Sequence, residues 1–129
     1  MSTIHFKKTV QGEVGPVVER LTAVLAEQGF GILTRIDFHT KMKEKLGKDL
    51  RPVVILGACN PALAYEAYKK NSDVAGLIPC NAVVREIGDG HCSIELTKPS
   101  LMIEILQETE MAAMAVAADD RLQLALQKM

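Results

Sequence analysis

The stretch Ala82-Val83-Val84-Arg85-Glu86-Ile87-Gly88-Asp89-Gly90-His91-Cys92-Ser93-Ile94-Glu95-Leu96 decides the fold. Two apolar runs, Ala82 to Ile87 and Cys92 to Leu96, flank Gly88-Asp89-Gly90. Glycine beside aspartate tolerates the positive φ angles of a tight reversal, so the stretch predicts a β-hairpin. Strands joined in this way are antiparallel. A regular βαβ alternation does not end like this, and a doubly wound dinucleotide fold is excluded on that ground.

The neighbouring segments extend the pattern. Pro52 to Ala58, with Val53, Val54, Ile55 and Leu56, predicts a central strand buried on both faces. Asn60-Pro61 reads as an N-cap followed by proline at the first helical position. The helix it opens runs to about Lys70, with Leu63, Ala64, Ala67 and Tyr68 inward. Lys69 and Lys70 sit at the negative end of its dipole. Residues 71–79 form a turn region closed by Pro79.

Glu13 to Gln28 carries Val14, Val17, Val18, Leu21, Val24 and Leu25 at helical spacing, and Gly29 stops it. Phe30 to Phe38 reads as a strand, and His39 to Leu46 as a short lysine-rich helix ending at Gly47. Residues 2–10 alternate and predict a first strand. After the hairpin, Pro99 opens a short helix through Leu106. Residues 108–129 read as a second helix, with Met111, Ala115, Ala118, Leu122, Ala125 and Met129 near one face. The order β-α-β-(α)-β-(α)-β-β-α-α predicts an α+β fold. Its sheet is curved, largely antiparallel and built of about five strands, with helices on one face.

Length and composition set outer bounds. The 129 residues suit a single domain, 1–129, with room for a real core. A net charge of -1 and 4% aromatic residues without tryptophan argue against nucleic acid as a partner. No apolar run approaches the ~18 residues of a membrane span, so no membrane partner is expected. The N-terminal Met1 to Lys8 lacks a secretion-signal pattern, and three cysteines without Cys-x-x-Cys spacing suit reduced thiols. A cytoplasmic location is the resulting expectation.

Two motifs concentrate the chemistry. Gly57-Ala58-Cys59-Asn60-Pro61 ends one predicted strand, and Leu77-Ile78-Pro79-Cys80-Asn81 precedes another. Cys59 falls at a helix start, where the dipole favours a thiolate. In an antiparallel pair the end of one strand lies beside the start of the next, so Cys59 and Cys80 are expected on the same side of the sheet. Such a pair suits a soft ligand or a reversible disulfide. Asn60 and Asn81 cap or bridge backbone at turns. Arg85 needs a carboxylate partner, with Glu95 or Asp37 available. A zinc site wants about four ligands, and His91 and Cys92 point to opposite faces, so no metal is expected. Met102, Met111 and Met114 fit helix packing; copper-type thioether ligation is the alternative, and core filling is far more common. The lysines at 41, 43, 45 and 48 read as a solvated face.

The stretches 57–61 and 77–86, with Gly29-Phe30-Gly31-Ile32, resemble domain-of-unknown-function family 302 over residues 1–106. The terminal helix, 107–129, lies beyond that motif region. The resemblance implies a TATA-binding-protein-like arrangement and a homodimer, without implying DNA binding. The functional expectation is a homodimeric small-ligand-binding module, its site near Cys59, Asn60, Cys80, Asn81 and Arg85, with no cofactor. One alternative is a thiol-based redox or sulfur-handling enzyme using the same cysteines. The other is a partner-binding protein acting through the terminal helix. No general base is matched to a nucleophile in the sequence, which favours binding over catalysis.

Overall fold

In the computed structural model, which describes residues 4–129, five strands form one antiparallel sheet. Along the chain come β1 (His5–Gln11), α1 (Val14–Glu27), β2 (Gly31–Asp37), α2 (Phe38–Leu46) and β3 (Val53–Cys59). Then follow α3 (Pro61–Lys70), a 3-10 segment (Ser72–Leu77), the hairpin strands β4 (Cys80–Gly88) and β5 (His91–Thr97), and α4 (Pro99–Leu106). A second 3-10 turn (Thr109–Met111) leads into α5 (Ala112–Gln127). The spatial order is β1-β5-β4-β3-β2. The expected first strand began at residue 2; residues 1–3 lie outside the described residues.

The β4–β5 hairpin organises the sheet. Its register pairs Ala82 with Leu96 and Val84 with Ile94, and slips between Glu86 and Gly88 as the turn begins. Gly90 takes φ 74, the left-handed conformation that the turn requires. The Gly90 carbonyl accepts from Gly12 N at 2.8 Å, which ties the turn to the end of β1. Paired residues share a face, so Ala82, Val84, Ile94 and Leu96 join Val54, Leu56 and Ala58 in the core.

Helices α1 and α5 close that face. The 3.6-residue period of α1 buries Val17, Val18, Leu21 and Leu25. On α5 the buried stripe is Ala115, Ala118, Leu122, Ala125 and Leu126. Alanine at those positions lets α5 approach α1 and the sheet closely. Burying each leucine stabilises the fold by about 1.5–3 kcal/mol. The polar α2 buries no residue, and its lysines meet acids: Lys41 reaches Glu44 at 3.6 Å and Lys43 reaches Asp49 at 2.9 Å. That is the solvated face expected of it.

Three details depart from the sequence reading. The apolar run of β3 is buried on one face, with Val54 and Leu56 each 1% exposed, whereas Val53 and Ile55 are half-buried. β-branched residues satisfy both a doubly and a singly covered strand, and the run itself does not distinguish them. The terminal helix starts at Ala112 rather than at residue 108. Most consequentially, β4 begins at Cys80, two residues before the expected strand, which brings Cys80 into the ladder opposite Ala58.

Candidate functional site

At one end of the sheet β3 stops and β4 starts. Asn60 follows the last residue of β3 in extended backbone (φ -97, ψ 107), and its Oδ1 accepts from Leu63 N at 3.2 Å. Its carbonyl accepts from Ala64 N at 2.9 Å, and Pro61 enters the helix without an N–H to satisfy. Asn60 is 8% exposed, because Gly29 at the C-terminal end of α1 lies against it. A Cβ on Gly29 would come within 3.0 Å of Asn60 Nδ2, and the residue holds φ +84. Gly29 is thus selected twice, by its backbone angle and by this contact.

Between this sheet end and the C-terminal helices lies a cavity of about 70 Å³. Its sheet wall is Phe30, Ala58, Cys59 and Cys80, and α3 supplies Leu63, Ala64 and Ala67. Ile78 and Pro79, joined by a cis peptide, border the entry to β4. The far wall comes from Met102 and Ile103 of α4 and from Met111, Met114, Ala115 and Ala118 leading into and along α5. Two polar ties hold that wall. Asp119 Oδ1 accepts from Ser100 N at 3.0 Å, pinning α4 to α5. Asn71 Nδ2 donates to Glu108 Oε1 at 3.0 Å, anchoring the α4–α5 connection to the end of α3.

All three thiols are free, and burial raises each of them. Cys80 is pushed up to about 11, first by burial and then by the charges of Cys59 and Asp119. For Cys59 burial is the cause. The helix start was expected to favour the Cys59 thiolate, and this is corrected. Pro61 has no N–H and Asn60 Oδ1 already takes Leu63 N, so the first turn offers Cys59 few donors and desolvation outweighs the dipole. Cys92 is wholly buried and its Sγ–H donates to the Gly12 carbonyl at 3.3 Å. Burial raises this thiol, with Glu86 and Glu13 adding to it.

Of the five residues singled out in the sequence, Cys59, Asn60 and Cys80 border the cavity, whereas Asn81 and Arg85 do not. Asn81 is exposed and pairs with Gly57 in the β3–β4 ladder. Strand alternation puts Cys80 on the core face with Ala58 and assigns Cys59 to the other, at the rim where β3 ends, which corrects the expectation that both thiols lie on one side of the sheet. Arg85 finds the carboxylate it needs: its guanidinium donates to Glu95 Oε1 at 2.7 Å. Glu95 also accepts from Ser93 Oγ at 2.9 Å and lies 3.5 Å from His5 Nε2. Along the chain Met102, Met111 and Met114 have ordinary helix-packing positions. Only the fold of α4 back against α5 brings them around one space. Among the described residues no group of three or more His, Cys, Asp or Glu side chains converges as a metal site. No helix of those residues is long and apolar enough to cross a membrane.

Comparison with known proteins gives a consistent picture. Residues 6–129 match the family model described as domain of unknown function DUF302. The chain is similar to a crystal structure of an uncharacterized conserved DUF302 protein from Bacillus stearothermophilus, at 29% identity and a TM-score of 0.88. That similarity covers 98% of each chain. No curated protein matches.

Proposed function

This chain belongs to the DUF302 family, and we propose that it is a small-ligand-binding module whose ligand occupies the cavity beside Cys59, Asn60 and Cys80. One observation carries the reading: a half-open, almost wholly apolar pocket of about 70 Å³ lies at this sheet end. Ligand sites are concave and mostly apolar with a few polar groups, and this pocket has that character. Burial that raises both thiols favours binding over nucleophilic catalysis at neutral pH, since the thiolate is the nucleophile. Asn60 contributes by fixing the helix start beside the cavity. Asn81 stands at this sheet end through its ladder pair with Gly57, whereas Arg85, paired with Glu95, lies on the outer face near the start of β3, opposite Val53.

The module acts as a homodimer in this reading. Val53, Ile55 and Val83 are half-buried in the chain alone, and Ile36 is 45% exposed, which leaves apolar sheet surface for a second copy. Light scattering at micromolar concentration is expected to give twice the mass of one chain; the mass of a single chain contradicts the dimer.

The ligand site is tested with small apolar fragments against protein carrying methyl-labelled methionine, followed by NMR. Bound fragments are expected to shift the methyl signals of Met102, Met111 and Met114. Ala115→Leu, which fills the space, is expected to abolish those shifts while the protein remains folded. Fragments that leave the three methyls unmoved refute the site.

A further inference from the structure

Three of the chain's six methionines and two of its three cysteines border this one cavity. The remaining walls are apolar apart from Asn60, whose Oδ1 is already engaged by Leu63 N. Methionine is a good filler of irregular gaps, but here three of them surround a space that is still open. Filling therefore does not account for them. An unbranched thioether on three rotatable bonds is, however, well suited to swing toward a bound atom.

We propose that the cavity binds a soft monovalent metal ion, Cu(I), through the Cys80 thiolate and the thioethers of Met102, Met111 and Met114, with Cys59 as a second thiol at the rim. The inference rests on this cavity being the ligand site. Thiolate and thioether sulfur select Cu(I), whereas carboxylate, carbonyl and water suit hard cations. Charge agrees with this choice. One Cu(I) with one thiolate and neutral thioethers is a neutral set, which an apolar cavity accepts without stranding a charge. A divalent ion reaches neutrality only by taking both thiolates, and Cys59 stands at the rim where β3 ends. Zinc, moreover, takes thiolate, imidazole and carboxylate, and the cavity wall offers neither of the last two. On binding, the ion replaces the Cys80 thiol proton, which leaves to solvent, and a Cu–S bond forms; no electron is transferred.

The test uses Ag(I) as a redox-inert stand-in and Cu(I) itself. Ag(I) is titrated into methyl-labelled wild-type protein. One equivalent is expected to shift the Met102, Met111 and Met114 methyls and leave those of Met42 and Met129 in place. In anaerobic competition with a colorimetric Cu(I) chelator, the wild type is expected to take up one Cu(I) per chain. Cys80→Ser is expected to weaken binding by more than the about 100-fold that loss of an outer supporting group can cost. Unmoved cavity methyls overturn the proposal, because the metal is then on Cys59 or elsewhere on the surface. So does equal Cu(I) affinity in the wild type and Cys80→Ser, or a preference for Zn(II). The wild-type methyl signals stand without any variant, so a Cys80→Ser protein that fails to fold does not rescue the idea. Apolar fragments that bind where Ag(I) does not sink the metal site alone; if neither binds, the ligand module fails with it.

Discussion

Gly57→Ala probes how the sheet end is held. Gly57 lies within β3, opposite Thr34 on one side and Asn81 on the other. A Cβ there would overlap Thr34 Oγ1 and come 2.6 Å from Pro79 Cγ and 3.4 Å from Pro79 Cβ. Neither neighbour yields easily: Thr34 is fixed in the β2 ladder, and the proline ring has no free end to rotate. Overpacking of this kind costs about 1–3 kcal/mol. Replacing glycine also restricts the unfolded chain, which returns about 0.4–1 kcal/mol. The net expectation is a loss of about 1–2 kcal/mol, which for a domain of this size lowers Tm by roughly 3–10 °C. Because Pro79 precedes Cys80, the cavity methionine signals should move as well. Thermal and urea denaturation check the first result, with an unchanged m-value showing that the denatured state is the same. Gly31→Ala is the control: a Cβ on this exposed β2 residue meets nothing within 4 Å beyond its chain neighbours, and no loss of stability is expected. A Gly57→Ala protein as stable as the wild type refutes the reasoning, because it shows that Pro79 is not packed against β3 as described.

Further outcomes follow from the cysteines, the buried carboxylate and the cap. Cys80 goes from an ordinary 9.0 to about 11 on folding, so between those values the unfolded chain loses a proton that the folded chain keeps. Stability therefore falls as pH rises through that window, by on the order of 2–3 kcal/mol, and chemical denaturation should find this slope reduced in Cys80→Ala. In native protein at neutral pH, iodoacetamide read by mass spectrometry should modify half-buried Cys59 before Cys92, which is 0% exposed; equal rates contradict the placement. Arg85→Met removes the closest partner of Glu95, which is 5% exposed, and should cost about 1–3 kcal/mol in urea denaturation. Asn60→Ala loses the α3 cap and about 1 kcal/mol, seen as a lower Tm.

Much of the fold was legible because its signals are local. The Gly88-Asp89-Gly90 turn, the spacing of Val17, Val18, Leu21 and Leu25, and the Asn60-Pro61 cap are each set by short-range backbone preference and periodicity. The antiparallel sheet and its helix layer followed from these, whereas the spatial strand order and the choice of Glu95 over Asp37 for Arg85 came from the tertiary structure. The N-terminal placement of Cys59 beside a helix was likewise readable, but its consequence was not. Whether a dipole or desolvation governs a thiol depends on which first-turn donors are already taken, and that is settled by side-chain geometry.

By itself, then, the sequence determined an antiparallel α+β domain with Cys59 and Cys80 at neighbouring strand ends. Only the tertiary structure decided what surrounds them. Met102, Met111 and Met114 have ordinary helical positions along the chain, and no spacing rule links them to cysteines more than twenty residues away. They meet Cys80 because α4 and α5 fold back across the sheet end, held there by Asp119 on Ser100 N and Glu108 on Asn71. Packing among distant segments, which carries no local periodic signature, makes the cavity and chooses its walls.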